Sequence, residues 1–146
     1  MKKEIFLIMI SYFVVLLFSG CAAGVVGQIP QVKDDFATVY MARKGGGWVG
    51  CGTAILIQLD DKDFVRLDCG MKTNFKIQDG TKLKISQVSS LSPDHIFLEP
   101  VKGDIYYFGA DCNGWVCWFE KMSREDYRRI ESTCDKDLKI DQGTAK

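Results

Sequence analysis

The sequence predicts a mostly β fold: a single antiparallel β-sandwich of about eight short strands with one C-terminal helix, after a cleaved signal peptide. Three observations carry that expectation. Short runs of alternating apolar and polar residues recur along the chain, separated by clusters of Gly, Asp and Asn. A lone amphipathic segment follows near the end. The N-terminal apolar run is shorter than a membrane-spanning helix requires.

That run comes first. Lys2 and Lys3 precede Ile5 to Phe18, a stretch of 14 apolar or weakly polar residues. A spanning helix needs about 20, whereas a secretory core needs fewer. Ser19-Gly20-Cys21 follows, two small residues and then a thiol. Leu17-Phe18-Ser19-Gly20-Cys21 resembles the lipobox cut by lipoprotein signal peptidase, with Phe18 where an aliphatic residue is usual. Cleavage before Cys21 and lipidation of its thiol are expected. A plain signal peptide, or an uncleaved anchor, is the alternative. Ala22 in place of Asp resembles the outer-membrane sorting signal of Gram-negative cells. Residues 21–35 read as a spacer that holds the domain off the bilayer.

Removing the first 20 of 146 residues leaves 126, enough for one core. Lys+Arg and Asp+Glu both number 19, and the near-neutral balance gives no basic face for nucleic acid. Six cysteines suit an oxidising compartment. With His95 as the single histidine and no CxxC spacing, neither a metal site nor any cofactor is expected.

The strands follow in order. Phe36–Arg43 (FATVYMAR) is β-branched and aromatic, and stops at Gly45-Gly46-Gly47. Gly50–Leu59 places Cys51, Thr53, Ile55, Ile57 and Leu59 at one parity. Asp60-Asp61-Lys62 turns the chain into Asp63–Cys69, where Val65, Leu67 and Cys69 share a face. Thr73–Gln78 carries Phe75 and Ile77 inward. Asp79-Gly80 signals a hairpin into Thr81–Val88. Ile96–Leu98, Ile105–Gly109 and Trp115–Lys121 complete the set. Ser123 caps a helix with Asp126 three residues on, and Tyr127 and Ile130 lie on one side of it. The domain is placed at 36–134, with 135–146 a polar tail.

The order of these features resembles small bacterial lipoproteins with a β-sandwich domain of unknown function. Ala37-Thr38-Val39-Tyr40-Met41-Ala42-Arg43 matches the start of that domain. The strand–turn–strand of Ala54 to Cys69 has Asp60-Asp61-Lys62 in place of the family's Asp-Gly turn. Asp79-Gly80-Thr81-Lys82-Leu83 falls where the family has Pro-Gly-x-His/Lys-x, and Gly103-Asp104-Ile105-Tyr106-Tyr107 is similar to its Gly-x-x-Tyr-Tyr strand. The resemblance covers about residues 36 to 130. It implies a fold and an envelope context, and no catalytic residues.

Strand alternation predicts a Cys51–Cys69 disulfide across the Asp60-Asp61-Lys62 turn. A second bridge is expected from Cys117 to Cys134, leaving Cys112 free, with Cys112–Cys117 the rival. Ser92-Pro93-Asp94-His95 holds the residue types of a triad, but neighbours in one turn do not approach a substrate from separate directions. The Asp60-Asp61-Asp63 cluster lacks the ligand ladder of a calcium loop. Glycines 45–47 and 50 lack the Lys-Ser/Thr of a phosphate loop. A carboxylate pair, Asp68 with Glu99 or Asp104, is the one hydrolytic arrangement left open.

The leading expectation is a non-catalytic interaction or scaffolding domain on an envelope lipoprotein, with a protein or glycan partner. Trp48, Tyr106, Tyr107, Trp115 and Trp118 are the candidate binding residues, as an aromatic strip that the helix either covers or leaves open. A glycan-binding module is the alternative and a small envelope hydrolase the third. Cys21 yields the first prediction. Full-length protein expressed in a bacterium incorporates labelled palmitate and begins at a blocked Cys21, and Cys21→Ser loses both the label and membrane fractionation. A soluble, unlabelled wild-type product beginning near residue 21 contradicts the lipidation.

Overall fold

A computed structural model of the chain describes residues 23–45, 51–88, 94–113 and 116–142. The expected signal segment, Cys21, Trp48 and Trp115 lie outside the described residues. The elements are β1 (Gly24–Val25), β2 (Phe36–Arg43), β3 (Ile55–Leu59), β4 (Lys62–Leu67), β5 (Met71–Gln78), β6 (Leu83–Gln87), β7 (His95–Leu98), β8 (Ile105–Asn113), β9 (Val116–Lys121), α1 (Arg124–Glu131) and β10 (Lys136–Lys139). They form two open five-stranded sheets. Sheet I has the order β1-β4-β3-β6-β7, and sheet II the order β10-β5-β2-β8-β9.

Alternation explains the core. Along β2, Ala37, Val39 and Met41 point inward, and β5 contributes Phe75 and Ile77. Sheet I supplies Ile55, Ile57, Leu67, Leu83 and Ile85 to the same cluster. Phe64 of sheet I meets Phe75 of sheet II edge to face, with ring centroids 5.2 Å apart. Phe64 reaches the core through a bulge: Ile57 pairs with Val65 but Gln58 with Asp63, so Phe64 is the extra residue. Both Phe64 and Val65 are thereby buried, although adjacent strand residues ordinarily face opposite ways.

The turns decide which sheet each strand joins. Asp60 and Asp61 both have positive φ, 48° and 62°, and their two-residue loop pairs β3 with β4 inside sheet I. Asp79-Gly80 differs from the expected hairpin. Only Gly80 takes positive φ, and Thr81 N–H donates to Gln78 C=O, closing a turn whose geometry does not bring β5 and β6 together. The chain crosses to the other sheet instead. Gly70 and Gly103 stand at the same place in the crossings β4 to β5 and β7 to β8.

These crossings correct the all-antiparallel expectation. β2 and β8 both enter sheet II from the end where the chain crosses over, so they run parallel, as do β5 and β10. The ordered unit also extends beyond 36–134. In the expected spacer, Gly24 and Val25 pair with Arg66 and Val65, and Val32 is buried. In the expected tail, Lys136–Lys139 pairs with Met71–Asn74 and Leu138 packs against the core.

Ser123 caps α1 as expected: its Oγ accepts from the Asp126 N–H at 3.1 Å and donates to the Asp126 carboxylate. The helix packs on β2 and β8. Tyr127 is buried there against Tyr40 and Tyr107. A Cβ at Gly109 would meet the side-chain ends of Met122 and Ile130, so the helix segment packs closely over this position.

Cys51 bonds to Cys69, with Cα atoms 5.2 Å apart. The pair lies beyond the end of the β3–β4 hairpin, because β3 begins at Ile55 and not at Gly50. Cys117–Cys134 does not form. Asn113 pairs with Val116, which sets Cys112 directly opposite Cys117, and these two are bonded at a Cα separation of 4.0 Å. Among the described residues Cys134 is the free thiol. Closing a loop of this size restricts the unfolded chain. Replacing Cys51 and Cys69 together by Ser should therefore lower urea-unfolding stability by about 2–4 kcal/mol. An unchanged unfolding midpoint contradicts that role.

Candidate functional site

Strand alternation splits the expected aromatic strip. Tyr106 and Phe108 face the core, while Tyr107 faces outward and lies under α1. Tyr106 donates to the Asp104 carboxylate at 2.9 Å, and burial raises its pKa. Tyr106 and Tyr107 therefore offer no joint platform. On β9, Cys117 is buried whereas Trp118 is 51% exposed and Val116 39%. The helix covers the middle of the outer face and leaves Trp118 open.

Trp118 stands in a row across sheet II. Asp111 is its partner on β8, and Lys44 follows β2 with its N–H on the Ala110 carbonyl. The Lys44 ammonium lies 2.9 Å from the Asp111 carboxylate, and both side chains are about half exposed. Cation, anion and indole thus sit side by side on an open surface. A flat apolar ring beside hydrogen-bonding charges can stack on a partner and orient it. Lys44 and Asp111 were not among the sequence candidates, since only the β2–β8–β9 register brings them beside Trp118. A second exposed ring, Phe97 at 63%, lies on edge strand β7 with His95 edge-on at 4.7 Å. The alternation of HIFL carries that signal, with His95 and Phe97 out and Ile96 and Leu98 partly buried.

A cleft of about 700 Å³ opens at the Cys51–Cys69 end, and Thr53, Asp68, Thr133, Asp135 and Lys136 contribute to its walls. Two carboxylates and one ammonium select no single ligand charge. Nearby, Arg43 occupies an inward position of β2, is buried, and donates to the Leu67 carbonyl at 3.1 Å, tying sheet II to sheet I. Burial lowers its pKa and Asp68 partly opposes that shift. The Cys134 Sγ lies 3.3 Å from the Arg43 carbonyl oxygen. Burial raises its pKa, with Lys72 acting in the other direction.

The carboxylate pair left open by the sequence is not assembled. Asp68 follows β4 at the disulfide end, whereas Glu99 and Asp104 lie in the β7–β8 connection at the other end of the sheets. Asp60 instead accepts the Lys82 N–H at 2.9 Å. Ser92 and Pro93, beside His95, lie outside the described residues. Among the described residues no cluster of three His, Cys, Asp or Glu side chains is placed to hold a metal ion. No helix among them is long and apolar enough to cross a membrane. No protein-family model, curated protein or solved structure matches the chain.

Burial is the largest cause of the raised Tyr127 pKa, and Glu131 adds to it. The folded state therefore keeps this proton where the unfolded chain releases it. Its contribution is complete below the ordinary tyrosine pKa of about 10 and is lost as pH rises above it. Urea midpoints should fall steeply above about pH 10, and Tyr127→Phe should flatten that fall. Equal slopes in the two proteins contradict the assignment.

Proposed function

We propose that the chain is an envelope lipoprotein. Residues 1–20 act as its signal peptide, Cys21 carries the lipid, and the β-sandwich domain is a non-catalytic interaction or scaffolding module. The observation that carries this reading is Leu17-Phe18-Ser19-Gly20-Cys21 directly after the apolar run of Ile5 to Phe18. Two disulfides in the domain support export to an oxidising compartment. In a Gram-negative cell, Ala22 favours the periplasmic face of the outer membrane. The resemblance to small β-sandwich lipoproteins belongs to the same reading.

The interaction surface is the open row Lys44–Asp111–Trp118, with Val116 beside it on the same face. Trp118 is the anchor, because exposed indole rings contribute strongly when a partner covers them. A second reading follows from the same row. An aromatic ring flanked by a carboxylate and an ammonium suits a sugar, whose CH face stacks while its hydroxyls bond to the charges.

Both readings are tested with Trp118→Ala. Cross-linking in intact envelope, followed by gentle solubilisation and pull-down, should recover a protein partner from wild type. The variant should bind it with a loss of about 2 kcal/mol, roughly 30-fold, while unfolding stability stays within about 0.5 kcal/mol. Binding to an envelope-glycan array, lost in Trp118→Ala, selects the glycan reading. Undiminished capture by the variant removes Trp118 as the anchor. Release of fragments from peptidoglycan by the purified domain overturns the non-catalytic reading.

A further inference from the structure

We propose that the domain sits flush on the bilayer, with the Cys51–Cys69 end against the phospholipid headgroups and the acidic turns pointing away. This orientation rests on the lipoprotein reading of Cys21. It is carried by where the chain enters the fold. Ala23 already packs against the core, and Gly24 pairs with Arg66. Antiparallel pairing therefore sets Ala23 level with Leu67, close to the Cys69 turn. Two peptide units link Cys21 to Ala23. Their fully extended reach is about 7 Å. A lipidated Cys21 lies at headgroup depth, so the end of β4 and the Cys51–Cys69 bridge are drawn to the same level.

The far end is out of reach. β5 runs eight residues from Met71 at the anchored end to Gln78, a length of about 25 Å. Asp34, Asp35, Asp60, Asp61, Asp79 and Asp104 gather at that far end. Lys33, Lys62, Lys82 and Lys102 offset only part of their charge, and Lys102 is already paired with Asp35. At the anchored end, Asp68, Asp94, Asp111 and Asp135 stand against Lys44, Arg66 and Lys136. Lys44 and Asp111 lie on the outer face of sheet II, which opens to the side and leaves their row with Trp118 free for a partner. A bilayer containing anionic lipid repels the strongly acidic far end more than the anchored end. Tether length and charge thus select the same orientation.

The test uses the full-length protein, processed in cells and reconstituted in vesicles of phosphatidylethanolamine and phosphatidylglycerol. A small fraction of the lipid carries a photoactivatable diazirine on its headgroup. Peptide mapping should place adducts on residues 51–54 and 68–71 and leave 60–62, 79–82 and 102–104 unlabelled. A variant with ten Gly and Ser residues inserted between Ala22 and Ala23 should lose that contrast. Labelling of acylated protein spread evenly, running the whole length of β1 and β4, or centred on the acidic turns overturns the orientation and leaves the tether standing. Protein without acylated Cys21 takes down the lipoprotein reading and this inference together.

Discussion

At four turns, the sheet that the next strand joins follows from whether one or both central residues take positive φ. Asp60 and Asp61 both do, and β3 and β4 pair within one sheet. At Gly70, Gly80 and Gly103 a single residue does, and each time the chain crosses to the other sheet. The crossings place the inner faces of both sheets around one core and make β2 and β8 parallel. They also separate the ends of the molecule. The chain enters from Ala23 at the disulfide end and begins β2 at the acidic end.

Much of this is legible in the sequence. Eight strands, the Ser123 cap and the Cys51–Cys69 bridge all followed from local patterns. The alternation rule also separates Tyr106 from Tyr107, and it places Trp118 opposite in direction to Cys117. What local patterns did not carry was pairing. β1 is two residues long, and β10 has one apolar side chain in Lys-Asp-Leu-Lys. Each becomes a strand only because a neighbouring edge offers it hydrogen bonds. The Phe64 bulge is likewise invisible in a single strand, since it depends on the register with β3. The Cys112–Cys117 bridge depends on the β8–β9 register, which the pattern of neither strand alone supplies. In that register Asn113 is paired with Val116.

The candidate surface has the same origin. Lys44, Asp111 and Trp118 are distant in sequence and meet only through two strand pairings. The position of α1 decides what remains open. Tyr127 and Gly109 fix the helix over β2 and β8, closing Tyr107 and leaving Trp118 accessible. Inside, Arg43 spends a core position on a guanidinium that ties Leu67 of one sheet to β2 of the other. A buried cation is costly unless its hydrogen bonds are met. It lies near the Cys51–Cys69 bridge, at the end where the proposed tether enters.

The central claim is that the proposed lipid anchor passes directly into the folded domain, with no spacer between. Neutron reflectometry of the lipidated protein on a supported bilayer measures this as the water-filled gap between headgroups and protein. Two peptide units of tether predict a gap no wider than about 7–10 Å. A free spacer over residues 21–35 would give about 20 Å, and a gap of that width contradicts the account.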